Sequence, residues 1–309
     1  MSAHATRRIY RHRLPVRVMH WTNVVCLFVL LGSGLQIFNA HPALYWGEDS
    51  RFHRPALALT GKADAQGVPR GETRIGTLRL KTDGFLGASK NLFGVHVARG
   101  FPTWATIPGA KSLADGRRWH FFFAWIFVLN GLAYLGWSLA SRHLAGDLWP
   151  TGPDLRGMGR SIVDHLKFKH PTGDAAARYN VLQKLAYLAV ILVLVPGVIL
   201  MGLAMSPDFD VVLGWLLDLV GGRQSARTWH FIFAFALLAF VAVHVFMVLV
   251  SGPVNQVRSM LTGRYDVPLD PGPRQADLRD QDKTPAVATA SVAGQPAQEA
   301  TASTPGGTP

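Results

Sequence analysis

Two stretches of the sequence are almost the same: RRWHFFFA at Arg117–Ala124 and RTWHFIFA at Arg227–Ala234. Both fit the pattern R-x-W-H-F-x-F-A, and each begins a long apolar run. An ionisable side chain inside a segment that could cross a membrane is costly, so it is a candidate for function. The fold and the role of the chain therefore depend on what these apolar runs are and on why they contain histidines.

The composition is typical of a membrane protein. Of the 309 residues, 49% are hydrophobic and only 16% are charged. We explain the formal net charge of +12 by the excess of Lys and Arg in the cytoplasmic loops of membrane proteins, and we infer no nucleic-acid partner. The chain has only one cysteine, Cys26. It therefore cannot form an intrachain disulfide, a CxxCH haem attachment or a four-cysteine cluster.

Four apolar segments are long enough to cross a bilayer, which takes about 20 residues. They are Val16–Phe38, Arg118–Ala140, Val181–Met205 and Ala226–Val250. We interpret the shorter run Val211–Val220 as an interfacial helix. The first segment is predicted to be a helix and not a signal peptide, because it is long and ends in the bulky Phe38 where cleavage requires a small residue.

Basic residues predict the orientation. The arm before the first span and the second loop, about 141–180, are rich in Arg and Lys, whereas the third loop has only Arg223 and Arg227. The positive-inside rule then places both termini in the cytoplasm. The first loop, Asn39–Arg117, is also basic, but a loop of this length crosses the membrane largely regardless of charge. We thus predict a cytoplasmic arm (1–15), a membrane domain (16–265) and a disordered cytoplasmic tail (266–309), which is rich in Ala, Thr and Pro.

Eight of the twelve histidines lie in termini or loops, where solvated side chains are the expected interpretation. The other four lie inside the spans: His20, His120, His230 and His244. For any one of them alone, an equally good explanation is a histidine that forms a hydrogen bond with a neighbouring helix. Their spacing changes this balance. His230 and His244 are fourteen residues apart on one helix, so they face nearly the same direction about 21 Å apart along the axis.

Each of these two histidines needs a partner at its own depth. In the predicted topology His20 lies near the depth of His244, and His120 near that of His230. Two imidazoles on opposite sides suit a six-coordinate haem iron. Zinc is the competing interpretation, but it normally takes three or four protein ligands, and neither depth offers carboxylates or cysteines. The sequence therefore predicts two haems.

The pattern R-x-x-H places Arg17, Arg117 and Arg227 three residues before three of these histidines. Residues i and i+3 share a helix face, so each arginine lies one turn nearer the water, where it could pair with a haem propionate. The alternative is an arginine that only sets topology, and this applies best to Arg17. This alternative explains Arg117 and Arg227 less well. Both lie on the side of the membrane that the positive-inside rule disfavours for basic residues, and both lie at helix N-termini, where the helix dipole disfavours a cation.

Together these motifs resemble the bacterial cytochrome b561 and hydrogenase-type cytochrome b family. The likeness covers about Arg11 to Tyr265 and rests on RVMHW, RRWHFFFA, YNVLQK, and RTWHFIFA with His244. The family includes b-type subunits of formate dehydrogenase, nickel–iron hydrogenase and thiosulfate reductase. The resemblance implies an all-α, multi-pass protein of the bacterial inner membrane. It implies two b haems that pass electrons between a membrane quinone and a partner enzyme.

The resemblance also implies a quinone pocket beside the start of the third span, at Asn180, Gln183 and Lys184; an ordinary polar helix end is the alternative. The long first loop, with HPALYWGED, looks most like thiosulfate-reductase-type subunits, some of which serve molybdenum enzymes. This implies a periplasmic partner such as a molybdopterin oxidoreductase. No catalytic centre for a substrate is recognisable in the sequence itself, so we interpret the chain as an electron-transfer subunit.

Two rival functions remain open from the sequence. A metal or proton transporter could use the histidines as a relay, but such relays also use carboxylates, and the cores of the four spans have none. A purely structural membrane anchor would use the histidines for packing. The visible spectrum of the purified protein separates these rivals from a cytochrome, because only a cytochrome gives a reduced b-type α band.

Overall fold

The computed structural model describes residues 6–167 and 180–268. Among them, four helices are long and apolar enough to cross a membrane, as predicted. They are α1 (Leu14–Phe38), α2 (Leu113–Ala140), α5 (Val181–Ala204) and α7 (Arg223–Val250). Many large apolar side chains on these helices are exposed. A lipid environment accounts for this pattern, since lipid solvates outward-facing apolar residues.

Helix α5 is not regular in the turns that precede Pro196. A π-helical stretch, Val190–Leu194, separates the α-helical segments Val181–Ala189 and Val195–Ala204. Proline has no backbone N–H to donate within a helix. A single wide π-helical turn is one way in which an α-helix adapts to such an interruption.

The two described ends of the chain meet at one end of the bundle, called here the terminal end. Strand β1 (Thr6–Tyr10) pairs antiparallel with strand β8 (Arg264–Pro268). A short helix, α8 (Pro253–Thr262), precedes β8. Strand β8 includes residues 266–268, which were predicted to belong to the disordered tail. Residues 1–5 of the predicted arm and 269–309 of the predicted tail lie outside the described residues.

The first loop contains β-structure that the all-α prediction did not include. Strands β2 (Ala43–Leu44), β3 (Leu57–Ala63), β4 (Pro69–Ile75) and β5 (Leu78–Lys81) form an antiparallel sheet in sequence order. Strands β6 (Ala88–Lys90) and β7 (His96–Ala98) form a second pair. We call residues 39–112 the sheet segment, and the end of the bundle that carries it the sheet end.

The sheet segment packs closely onto the bundle. Leu35 and Phe38 of α1 share a buried apolar cluster with Leu44, Leu59 and Phe101 of the segment. Buried apolar surface of this kind is the main source of stability.

Polar contacts strengthen the same junction. Asn39 accepts a hydrogen bond from the Phe101 amide (2.6 Å) and donates to the Phe101 carbonyl (3.2 Å). The buried Arg99 donates to Gln36 Oε1 (2.7 Å) and to Thr106 Oγ1 (2.7 Å). The segment is therefore packed firmly against the bundle and is not a loose connection.

The remaining connections are also partly helical. The second loop contains a π-helical turn at Leu144–Leu148 and two helices, α3 (Gly152–Arg156) and α4 (Met158–Leu166). Residues 168–179 of this loop, with the basic Lys169 and Arg178, lie outside the described residues. The predicted interfacial segment is helix α6 (Asp210–Val220).

Candidate functional site

The histidines at the sheet end lie next to each other. The ring centres of His120 on α2 and His230 on α7 are 6.2 Å apart, and the ring planes meet at 68°. Each ring has an acceptor at Nδ1. His230 Nδ1 lies 2.8 Å from the Val198 carbonyl of α5, and His120 Nδ1 lies 3.1 Å from Ser33 Oγ of α1. Nε2 is therefore the ring nitrogen left to each histidine for a ligand bond.

Such outer contacts are typical of histidines that bind a metal. A metal-ligating histidine almost always donates its second ring N–H to a carbonyl, carboxylate or water, which fixes the tautomer and the ring orientation. Ser33 is itself held, because its hydroxyl donates to the Val29 carbonyl at 2.7 Å.

The second pair lies at the terminal end. The ring centres of His20 on α1 and His244 on α7 are 6.3 Å apart, with a 58° angle between the planes. His244 stacks on Phe240, one turn earlier, at 5.9 Å and 18°. His20 packs edge-on against Trp21 at 5.4 Å. Nδ1 of His20 is buried and has no hydrogen-bond acceptor among the described residues.

Both ring separations fit a metal atom held between two imidazoles. A metal–nitrogen bond of about 2.0 Å, with about 1.1 Å from that nitrogen to the ring centre, gives about 6.2 Å between two rings on opposite sides of one metal. The structure has 6.2 and 6.3 Å. Within the described residues, no group of three or more His, Cys, Asp or Glu comes together, which disfavours a zinc site.

Similarity to known proteins shows the family to which the chain belongs. The family model described as prokaryotic cytochrome b561 matches residues 11–263. This chain belongs to that family. It is 38% identical over 246 residues to YedZ1 of Azospira oryzae, which is named a protein-methionine-sulfoxide reductase subunit; the match covers 79% of this chain and 92% of YedZ1.

Two hydrogenase subunits are more distant relatives. The Ni/Fe-hydrogenase B-type cytochrome subunit of Cupriavidus necator is 26% identical over 176 residues, which is 52% of this chain and 72% of that subunit. The corresponding subunit of Azotobacter vinelandii is 22% identical over 138 residues, or 41% and 58% of the two chains. The chain is therefore a b-type cytochrome membrane subunit in electron transfer, and its cofactor is b-type haem.

Two glycines of this cytochrome b561 lie against the sheet-end histidines. A Cβ atom on Gly202 of α5 would lie 3.2 Å from Cε1 of His230, and one on Gly34 of α1 would lie 3.4 Å from Cε1 of His120. The first distance is tighter than ordinary van der Waals contact. Glycine at position 202 therefore leaves room for the His230 ring in its present position.

The three arginines have different surroundings. Arg227 Nη2 donates to the His41 carbonyl at 2.6 Å, and its guanidinium lies over the Phe38 ring at 5.5 Å. Arg117 is exposed, with its guanidinium 5.5 Å from the Phe121 ring centre. Arg17 donates to the Leu261 carbonyl of α8. None of the three forms an ion pair with a carboxylate in the part of the chain that the structure describes.

The groups near Arg227 do not offset its charge. Burial, together with the nearby Arg227 cation, lowers the pKa of His41, so this imidazole is neutral at pH 7. Burial raises the pKa of the Tyr45 phenol, which lies 3.1 Å from His41 Nε2 and also stays neutral. Arg227 is therefore a cation without a nearby anion among the described residues, at the end of the bundle where His120 and His230 meet.

The three residues predicted for the quinone pocket have local structural roles. Asn180 is the N-cap of α5 and accepts from the Leu182 amide at 3.0 Å, while Gln183 Oε1 accepts from the Asn180 amide at 3.2 Å. Lys184 forms an ion pair with Asp154 at 2.8 Å, and its hydrogen bond is the main cause that lowers the pKa of this carboxyl to about 2. These contacts favour the alternative to a quinone pocket, namely that the three residues form an ordinary polar helix end.

Several residues of the site were missed in the sequence. Ser33 and the Val198 carbonyl orient histidines that lie 87 and 32 residues away in the chain. Asn130 of α2 donates to Asn23 Oδ1 and to the Met19 carbonyl of α1, next to His20. No spacing rule connects such residues, because each contact joins two different helices. The polar identity of Asn130 within an apolar span was the one usable signal.

Proposed function

We propose that this cytochrome holds two b haems, one at each end of the bundle, and passes single electrons between a membrane quinone and a partner oxidoreductase. The observation that carries the proposal is the presence of two histidine pairs with ring centres 6.2 and 6.3 Å apart. When bound, haem supplies a one-electron couple whose potential depends on its axial ligands. His120 and His230 would hold one haem, and His20 and His244 the other.

Haem stoichiometry tests this proposal directly. Purified protein should contain two haems per chain in a pyridine haemochrome assay and show a reduced b-type α band. A metal transporter or a structural anchor would show no such band. One haem per chain at full occupancy would contradict the two-site model.

Position in the membrane is part of the same proposal. Both described ends of the chain lie at the terminal end, where β1 pairs with β8. The N-terminal arm and the second loop carry most of the loop arginines and lysines outside the first loop. We therefore propose a bacterial inner-membrane protein with the terminal end in the cytoplasm and the sheet segment in the periplasm.

The sheet segment is the proposed docking surface for the partner. It carries ten Lys and Arg residues against five Asp and Glu, which favours an acidic partner surface. Strand β5 (Leu78–Lys81) is at the edge of the sheet, and all four of its residues are exposed. A partner strand could add to such an edge. We propose a catalytic oxidoreductase subunit as the partner, as the name of YedZ1 suggests, and a molybdopterin enzyme as its class.

The sheet-end arginines should tune one haem and not the other. If Arg227 pairs with a propionate or lies near one, Arg227→Gln removes a cation that favours the reduced haem, so the midpoint potential should fall. A charge about 10 Å away at an effective dielectric constant of about 20 contributes about 1.7 kcal/mol, which is about 70 mV for a one-electron couple. Arg117→Gln should act in the same direction. Redox titration followed at the α bands measures both haems in one sample.

The neighbouring Arg118 provides a matched control. It already pairs with Asp115 at 3.4 Å on the exposed face of α2, so Arg118→Gln should leave both potentials unchanged. Equal shifts of the two haems in the Arg117 and Arg227 variants, or no shift in either, would contradict the pairing and favour arginines that only set topology.

A further inference from the structure

We propose that Arg99, a buried arginine of the sheet segment, is a fixed cation that raises the midpoint potential of the sheet-end haem. The inference rests on the proposed binding of that haem by His120 and His230, and it adds a residue that sets the potential of the haem. A positive charge favours the reduced haem, because this is the less positive of its two states. Arg99 therefore favours the presence of the electron at the sheet end.

Arg99 is buried among neutral groups. The residue is only 6% exposed. Its guanidinium donates to four oxygen atoms, namely the Gly109 carbonyl (2.9 Å), Thr103 Oγ1 (3.3 Å), Thr106 Oγ1 (2.7 Å) and Gln36 Oε1 (2.7 Å). None of these acceptors is charged. Among the described residues Arg99 forms no ion pair, and its Nε has no acceptor. Since arginine stays protonated in proteins, a full positive charge remains at this place.

Asp115, a carboxylate at the same junction, has other partners. It accepts a hydrogen bond from Ser112 Oγ at 2.7 Å and pairs with Arg118 at 3.4 Å. Its side chain is half exposed, so water also screens its charge. The charge of Arg99 is therefore not cancelled within the junction.

A cation is not needed to join the sheet segment to α1. Asn39 joins the same two elements through two hydrogen bonds to the backbone of Phe101, and it does so with a neutral amide. A buried charge costs much more free energy than a buried amide, because hydrogen bonds to neutral groups replace only part of its hydration. The charge of Arg99 thus calls for a role besides packing.

The guanidinium lies close to the helical turns that hold His120. Gln36, which accepts from Arg99, is three residues after Ser33 on α1. Ser33 Oγ lies 3.1 Å from Nδ1 of His120. On α2, Gly116 is one turn before His120, and a Cβ atom there would lie 2.9 Å from Cγ of Gln36. The rise along a helix and the length of the side chains put the guanidinium on the order of 10 Å from the His120 ring.

The charge is also held in a fixed position. The Ile107 amide donates to the Gly32 carbonyl of α1 at 3.0 Å, and a Cβ atom on Gly32 would lie 2.7 Å from Cγ1 of Ile107. Gln36 Nε2 donates to the Ser112 carbonyl at 3.3 Å. Residues 99–112 are thus joined to α1 on both sides of Ser33. A fixed charge needs no reorganisation when the haem changes its redox state.

Arg99 should act on one of the two haems. Along α7, His244 is about 21 Å further from the sheet end than His230, so the charge is much closer to one histidine pair than to the other. An electron that moves from the terminal end to the sheet end leaves the first haem oxidised and the second reduced, and no proton is transferred. Arg99 makes this direction more favourable.

Redox titration of the full-length, haem-loaded protein tests the proposal. The sheet-end component is the one that His230→Ala removes. Arg99→Gln should lower the equilibrium constant for reduction of this component at least about tenfold, which is about 59 mV for a one-electron couple. A charge on the order of 10 Å away, at an effective dielectric constant of about 20, has an effect of this size. The terminal-end component should change much less, and both haems should stay bound.

Two further variants separate the charge from the hydrogen bonds. Arg99→Lys keeps the charge and should keep most of the potential. Arg74→Gln is the matched control, because the guanidinium of Arg74 donates to the Gly76 and His53 carbonyls within the sheet segment (2.8 and 3.2 Å). It should leave both potentials unchanged. The Arg99→Gln shift should also persist at about 1 M salt, where the Debye length is only about 3 Å, because a buried charge is screened little.

Gln36→Glu provides a test that retains the arginine, in case Arg99→Gln does not keep the sheet-end haem. The carboxylate has the shape of the amide, lies next to the guanidinium and neutralises it, so the sheet-end potential should again fall. Gln36→Met loses the same amide donor without adding a charge, and it should shift the potential much less. No fall in Gln36→Glu would overturn the proposal, because a charge beside Arg99 would then have no effect on the haem.

The other outcomes are also decisive. If Arg99→Lys lowers the sheet-end potential as much as Arg99→Gln does, Arg99 acts through its hydrogen bonds alone and the proposal is wrong. Equal shifts of the two components in Arg99→Gln, or no shift of either, would overturn it as well while leaving the two-haem function intact. Absence of haem from the unmodified chain would instead overturn the proposed function.

Discussion

Replacing His120 with alanine should remove the same haem as replacing His230, and replacing His20 should remove the same haem as replacing His244. Each single variant should contain one haem per chain in place of two, because a haem that loses one axial histidine loses the bond that holds it in the bundle. Redox titration of the four variants should then show two classes, each with a different component missing. His20→Ala and His244→Ala should also lose quinone turnover.

The pairs should behave as units in double variants. His120→Ala combined with His230→Ala should be no worse than either single change, whereas His120→Ala with His20→Ala should abolish haem binding. Strong non-additivity within a pair is expected when two residues share one function. His53→Ala is a suitable control, since His53 is exposed in the sheet segment. If His20→Ala and His230→Ala lost the same component, the pairing and the topology behind it would both be wrong.

The membrane helices could be predicted from the sequence because their signal is local. A run of about 20 apolar residues is sufficient evidence for a span, and α1, α2, α5 and α7 lie within a few residues of the predicted bounds. The proximity of His20 to His244 and of His120 to His230 also follows from local quantities. Helical rise fixes depth, and the alternation of the spans determines which depths coincide.

The sheet segment could not be found by the same criterion. Strands β3 and β4 are seven residues each, with mixed polar and apolar side chains, and a search for long apolar runs treats them as a loop. A local signal was present nevertheless. The turn between them contains Asp64 and Gly67, and Gly67 has a φ of +76°, a conformation that glycine adopts most easily. Residues of this type between two short strands are typical of a hairpin.

Some side-chain contacts of the site can likewise be predicted from the sequence, whereas others depend on how the helices pack. The capping box of Asn180 and Gln183 is readable from the sequence, because the N-cap residue and the residue three positions later form a known reciprocal pair. The contact of Ser33 with His120, or of the Val198 carbonyl with His230, requires the packing of separate helices. The sequence therefore shows which histidines to examine, but the groups that orient them follow only from the tertiary structure.

Replacing Gly202 with leucine should remove the sheet-end haem and leave the terminal-end haem in place. Even a Cβ atom at this position would lie 3.2 Å from Cε1 of His230 and 3.4 Å from its Nδ1. A larger side chain must push the ring aside and break the 2.8 Å contact of Nδ1 with the Val198 carbonyl. Overpacking of this kind typically costs about 1–3 kcal/mol, and loss of an outer contact to a metal ligand typically lowers affinity about 10- to 100-fold.

The measurement is the amplitude of each haem in a redox titration, with total haem per chain from the pyridine haemochrome assay. Gly136→Leu is the matched control, because Gly136 is exposed on α2 and a Cβ there meets nothing within 4 Å. Gly34→Leu tests the other ring of the same pair, where a Cβ would lie 3.4 Å from Cε1 of His120. Both sheet-end variants should lose the component that His230→Ala loses. Retention of both haems at unchanged potentials in Gly202→Leu would show that His230 does not hold a haem in the position that its contact with Val198 defines.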